Sequence, residues 1–299
     1  MESLLGMIFP PGFLTNEPVR TALIVGGGAA LVSAIVGVFT VMRGQSFAGH
    51  ALADVSSAGG SASFLLGMSP LLGFLSMAVI AGGALELAER RDTRERDLAT
   101  GIVLGAGLGL AALFLYFDIT SMSTTGATIT ILFGSMFALP ATIVPLALTV
   151  GLGAVIAIGV IYRPLLVSSL SPELAQVQGV RPRLIGFVHI LALSLAVSLS
   201  AMTIGAILST ALLIGPAAIG LRLADRAGRA VILAAAIGLA AVWGGILLAY
   251  DSFYWTPGHG WPVSFFIVAL ILAFYVIAVF LRRERSGQAD RPLGPHCSA

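Results

Sequence analysis

The sequence predicts an all-α fold, a polytopic helical bundle that crosses a lipid bilayer about nine times, with eight to ten as the range. Three observations predict it. First, hydrophobic residues make up 58% of the 299 and charged residues 10%, whereas soluble domains are about 45–50% apolar and about 25% charged. Second, the mean hydropathy is +1.01. A soluble chain of this size leaves roughly a quarter of its unfolded surface exposed, so lipid has to cover what water cannot. Third, apolar runs of spanning length recur between charged punctuation. Only helices and closed barrels satisfy the backbone inside lipid, and runs this long mean helices.

The spans follow in order. Span one covers about 19–42. Segment two, 46–68, is more polar. Spans three and four cover 70–88 and 98–117. An apolar stretch at 128–162 is interrupted by Pro140 and Pro145, which predicts a short helix at 128–138 followed by span five. Spans six to nine cover 183–201, 203–221, 230–250 and 262–281. Residues 1–18 form an N-terminal segment with Glu2, Glu17 and Pro10-Pro11 and no basic stretch of the kind that opens a signal peptide. The membrane domain is 19–283, and the polar tail 284–299 is expected to be disordered.

Arginine placement predicts the orientation. With nine spans, Arg43, Arg90, Arg91, Arg94, Arg96, Arg163, Arg181, Arg183, Arg222, Arg226, Arg229, Arg282, Arg283, Arg285 and Arg291 all fall on one side, and only Arg20 on the other. That puts the N-terminus outside and the C-terminus in the cytoplasm. It also makes 163–182 a cytoplasmic loop. Within it, Ser171 reads as an N-cap, Pro172 as the first helical residue, Glu173 as first-turn acid, and Gly179 as the residue just past the end. Such a short helix is either a docking element, with Pro172, Glu173, Ala175 and Gly179 in the contact, or a plain surface turn.

Absences narrow the function. The basic residues are all arginine, so no P-loop lysine exists. Cys297 is the single cysteine, which excludes an internal disulfide and a cysteine-based metal site. A net charge of +2 gives no reason to expect nucleic acid.

Segment two carries the chemistry. Ser46, His50, Asp54, Ser57 and Ser61 fall within an arc of roughly 80° on one helix face. Ionisable residues in a membrane helix face the bundle interior or a water-filled path. His50 and Asp54 are one turn apart, so a nitrogen and an oxygen can converge on one ion, a mixed set suited to zinc, manganese or ferrous iron. Ser46, Ser57 and Ser61 would line the path. Alternatively the pair bonds to itself and the serines bond their own backbone. Two ligands make an incomplete site, which a second copy would double. His189 in span six is a possible further ligand or a helix–helix hydrogen bond. His259 lies in an outer loop, His296 in the tail, and Glu86 is placed to snorkel from the inner end of span three. Gly101, Gly105 and Gly109 form a close-packing ridge, expected to serve packing within the chain or, alternatively, between chains.

At these residues the chain resembles the permeases of bacterial ATP-binding-cassette importers for zinc, manganese and iron. The stretch Arg43 to Asp54 is similar to the family's motif after the first span, with the usual Asp and His exchanged. Leu132 to Ser135 resembles its Leu-Phe-Gly-Ser element, and Ala211 to Ala217 its Ala-Leu-Leu-x-x-Pro-Ala element. Glu173, Ala175 and Gly179 match its docking stretch, where Ser171 replaces Asp. The resemblance implies a multi-pass permease in the bacterial inner membrane, paired with a second copy. It implies two cytoplasmic ATPase subunits bound near Glu173, and an extracytoplasmic metal-binding protein that delivers the ion. The divalent ion would be cargo, with no cofactor held permanently, and ATP hydrolysis would belong to the partner. Three rivals stand beside it: a proton-coupled transporter using His50 and Asp54 as a relay, an intramembrane enzyme, and a permease of the same build for a metal chelate.

Overall fold

The computed structural model describes residues 13, 15–88, 93–122, 125–134, 136–255 and 260–289. Among them the chain is helical from end to end. The helices are α1 (Glu17–Met42), α2 (Ser46–Leu65), α3 (Pro70–Ala88), α4 (Thr93–Phe117), α5 (Thr125–Phe133), α6 (Val144–Leu170), α7 (Pro172–Val177), α8 (Pro182–Ile204), α9 (Ala206–Leu223), α10 (Ala227–Trp255) and α11 (Val263–Ala289). Eight of these are long and apolar enough to cross a membrane. The eight and the more polar α2 together correspond to the nine predicted spans.

Local sequence sets the boundaries. Asn16 is extended ahead of α1, with Glu17 in the first turn and a proline at its start, a favourable entry for charge and backbone alike. Between Phe133 and Val144 the backbone passes through two short 3₁₀ turns, Met136–Ala138 and Ala141–Ile143, with Pro140 heading the second. Helix α6 then starts with a proline in its first turn. It does not stop at residue 162, where the apolar run ends. It continues through Arg163 and Pro164 to Leu170, because helix geometry persists where a side chain can leave the lipid, and the polar change marks the bilayer edge only. The loop expected over 163–182 therefore narrows to the segment around α7. Likewise α11 runs on to Ala289, past the expected start of the tail.

The centre of the bundle is built from α1, α2, α8 and α9. Helix α2 packs most extensively on α3 and α4 and also touches α5, α8 and α9, while α1 packs on α6, α8, α9 and α10. Large apolar side chains on α4, α6, α10 and α11 point outward, among them Ile102, Leu152, Val160, Ile232, Leu272 and Phe280. That is the surface lipid would cover.

Inside lipid, close packing and interhelical hydrogen bonds hold helices together, since tails are as apolar as leucine. Both devices join α3 to its neighbours. Ser194 Oγ of α8 donates to the Ala78 carbonyl at 2.9 Å, and Ser198 Oγ donates to the Phe74 carbonyl at 3.2 Å. Gly59 of α2 and Gly73 of α3 touch backbone to backbone. A second backbone contact closes the bundle at the other end of α8. Gly134 (φ 75°) ends the α5 segment, Gly205 (φ 90°) is the single residue between α8 and α9, and a Cβ on either would strike the other's peptide.

The glycine ridge on α4 is a correction. Gly101, Gly105 and Gly109 face open space and pack on nothing among the described residues. The α4 glycine that does pack is Gly107, against Val55 of α2. Packing within the chain, among the described residues, is thereby excluded for this ridge, since a GxxxG spacing marks a smooth face without saying which way the helix is turned.

Candidate functional site

Helix α2 is held from behind. Ala48, Leu52, Val55 and Gly59 lie at roughly 140–200° from His50 around the helix, and all four are buried or packed on neighbours. The small residues Ala51, Ala53 and Ala58 are also fully buried. The His50 face is the remaining one. It looks toward α9, with Gly49 packed against the Leu213 side chain at the same level.

His50 and Asp54 come together. His50 Nε2 lies 3.4 Å from Asp54 Oδ2, with the imidazole side chain 43% exposed and the carboxylate 10%. That separation exceeds the usual 2.7–3.2 Å of an N–H···O bond. It does suit a shared ion: ligands about 2.1 Å from a metal at a tetrahedral angle stand about 3.4 Å from each other. His50 Nδ1 is 2.9 Å from Thr210 Oγ1 of α9.

The serines behave differently from one another. Ser57 Oγ donates to the Asp54 carbonyl at 2.5 Å and Ser61 Oγ donates to the Ser57 carbonyl at 2.8 Å. Both are buried, and their oxygens keep lone pairs while their protons stay on the backbone. Ser46 is half-buried in the first turn. All three share the face of the ion pair.

His189 is fully buried on α8 and approaches Thr40 of α1, with Nε2 3.5 Å from Oγ1. Thr40 Oγ1 itself donates to the Val36 carbonyl at 2.9 Å. Among the described residues no group of three or more His, Cys, Asp and Glu comes together, so His189 does not join His50 and Asp54 in one cluster. Glu86 turns against α8, its carboxylate beside Gly186. His259, His296 and Ser135 lie outside the described residues.

The loop element is a helix of six residues, α7. Ser171 precedes it in extended geometry. The Ala175 amide donates to the Ser171 carbonyl, and Gly179, at φ 76°, turns the chain out so that the Val180 amide returns to the Ala175 carbonyl. Ala175 is buried and anchors the turn, while Glu173 and Val177 are exposed. Nearby, Arg43 Nη1 donates to Ser168 Oγ at 3.1 Å, which ties the α1–α2 junction to the end of α6.

Thr210 is the participant that sequence reasoning missed. It stands beside the Ala211–Ala217 element, yet nothing in its local pattern distinguishes it, and its partner is 160 positions away.

A bundle of membrane-length helices surrounds one polar helix, which carries a half-exposed imidazole beside a nearly buried carboxylate. The chain belongs to the ABC 3 transport family, which matches residues 15–282. It is 26% identical over 278 residues to the manganese transport system membrane protein MntC of Listeria innocua, covering 93% of this chain and 96% of that one. It is 27% identical over 271 residues to the high-affinity zinc uptake system membrane protein ZnuB of Haemophilus influenzae, covering 88% and 97%. Among solved structures it resembles PsaBC from Streptococcus pneumoniae in complex with Fab, at a TM-score of 0.79 and 25% identity, covering 96% of this chain and all of that one. The chain is thus the transmembrane subunit of a metal importer of the ABC type.

Proposed function

We propose that this permease carries a divalent transition-metal ion, manganese or zinc, into the cytoplasm across the bacterial inner membrane. Two copies pair, and the ion passes by alternating access along the His50 face of α2. His50 Nε2 and Asp54 Oδ2 are its transient ligands. The observation that carries this reading is their separation of 3.4 Å on one face of a polar helix, where the imidazole is half-exposed and the carboxylate nearly buried. Two protein ligands with water completing the shell hold an ion weakly, which is what conduction requires. The second copy supplies another pair, and Ser46, Ser57 and Ser61 continue the polar face. The relatives named for manganese and zinc transport agree with a nitrogen–oxygen set.

Energy comes from separate ATPase subunits docked on α7 through Pro172, Glu173, Ala175 and Gly179. An extracytoplasmic metal-binding protein loads the opposite face. The N-terminus is outside and the C-terminus inside, as arginine placement requires.

The test is ion uptake in cells that lack their own manganese and zinc importers and co-express a cognate ATPase and binding protein. His50→Ala and Asp54→Ala should each lower uptake at least about tenfold, in line with the loss of a metal ligand or its support, while membrane insertion stays normal. Normal uptake in both variants rejects the pathway. Uptake that follows a proton gradient and ignores ATP would favour the proton-coupled alternative.

A further inference from the structure

We infer that Thr210 is the positioning residue that aims His50 at the ion, by accepting a hydrogen bond from Nδ1–H so that the Nε2 lone pair faces Asp54. The inference rests on the pathway reading of His50 and Asp54.

The geometry is specific. His50 Nδ1 and Thr210 Oγ1 are 2.9 Å apart, a full-strength hydrogen bond, whereas Nε2 and Asp54 Oδ2 are 3.4 Å apart. The ring is therefore held more closely on its Nδ1 side, by Thr210, than on its Nε2 side, by Asp54. A neutral imidazole carries its proton on one nitrogen, and the partner of that nitrogen decides which one is left to bind metal. Metal-binding imidazoles depend on such a partner for ring orientation and tautomer. A hydroxyl has two acceptor lone pairs for Nδ1–H.

The anchor sits on a different helix from the ligand. Thr210 belongs to α9, and its height relative to His50 is set by independent packing, since Leu213, one turn further along α9, rests against Gly49 of α2. His50 is half-exposed and Asp54 shares its helix. Without Thr210 the imidazole would be free to rotate about its own side-chain bonds, and Nε2 would leave the position opposite Asp54. Ligand geometry is thereby tied to the α2–α9 contact.

Two variants separate this role from packing. Thr210→Val keeps the shape and removes the hydroxyl, while Thr210→Ser keeps the hydroxyl and removes a methyl group. In the uptake assay described above, with Mn2+ as the probe and Zn2+ in parallel, Val should lower uptake about tenfold, the lower end of the range for losing such a partner. Ser should stay within about twofold of the parent. Membrane abundance and ATP hydrolysis should match the parent in both. A residue that merely fills space gives the reverse order, with Val tolerated and Ser impaired. Parent-level uptake for Val, or uptake for Ser as low as for Val, overturns the inference. His50→Ala run alongside distinguishes the two failures. Loss with His50→Ala and none with Thr210→Val removes only the role of Thr210. Normal uptake with His50→Ala removes the pathway reading itself.

Discussion

Asp54 and Ser61 stand on one face of α2, yet they offer a passing cation different things. Asp54 has a carboxylate with exposed surface beside an imidazole. Ser61 is fully buried and its proton is held by the Ser57 carbonyl. A hydroxyl bonded to its own helix is replaced cheaply, because the backbone carbonyl keeps its helical partner. Ser61→Ala is therefore expected to keep uptake within about twofold of the parent, measured beside Asp54→Ala, since side chains away from unpaired polar groups contribute little. The face itself was legible in the sequence, because helical periodicity alone brings offsets of four, eight, eleven and fifteen together. Thr210 was not, because its contact with His50 depends on how two helices far apart in the chain are rotated against each other. Nor could periodicity tell that His189 points to Thr40 of α1.

At the scale of elements, the order and number of the long helices could be read from hydropathy and proline, while the ends of α6 and α11 run eight residues past the apolar runs that predicted them. What hydropathy could not supply was the facing of each helix. The contrast between Gly205 and Gly105 makes this concrete. Gly205 has a positive φ and touches the peptide between Leu132 and Gly134, so alanine there combines backbone strain with a collision. Gly205→Ala should cost about 1–3 kcal/mol from the backbone conformation alone and lower the denaturation temperature in detergent. Gly105→Ala, on the open ridge of α4, should leave that temperature unchanged, within the roughly 0.5 kcal/mol typical of surface substitutions. A spacing rule treats these glycines alike, and packing does not. The same limit explains α6, where a charged residue at 163 suggested an end that the backbone does not make.

At the scale of the whole molecule, the eight apolar helices and the outward-facing Leu, Ile and Phe side chains leave α7 as a compact element outside the spans. If α7 receives the ATPase, reversing charge on its exposed first turn should break the assembly and spare the fold. Glu173→Arg is expected to reduce co-purification of the ATPase several-fold, with the permease still folded by gel filtration. Equal recovery of ATPase would place the contact elsewhere. The short helix was legible from Ser171, Pro172, Glu173 and Gly179, since capping is local chemistry. The partner it meets was not, because a surface carries no record of its occupant.

The unequal exposure of the two groups has a further consequence. With the imidazole 43% exposed and the carboxylate 10%, the nitrogen is the more accessible donor of the proposed pair. Magnesium and calcium, hard ions that favour all-oxygen shells, would gain nothing from that nitrogen, whereas zinc would exchange a water for it. On the proposed pathway, discrimination against the abundant alkaline-earth ions of the surroundings would rest on that exposed nitrogen.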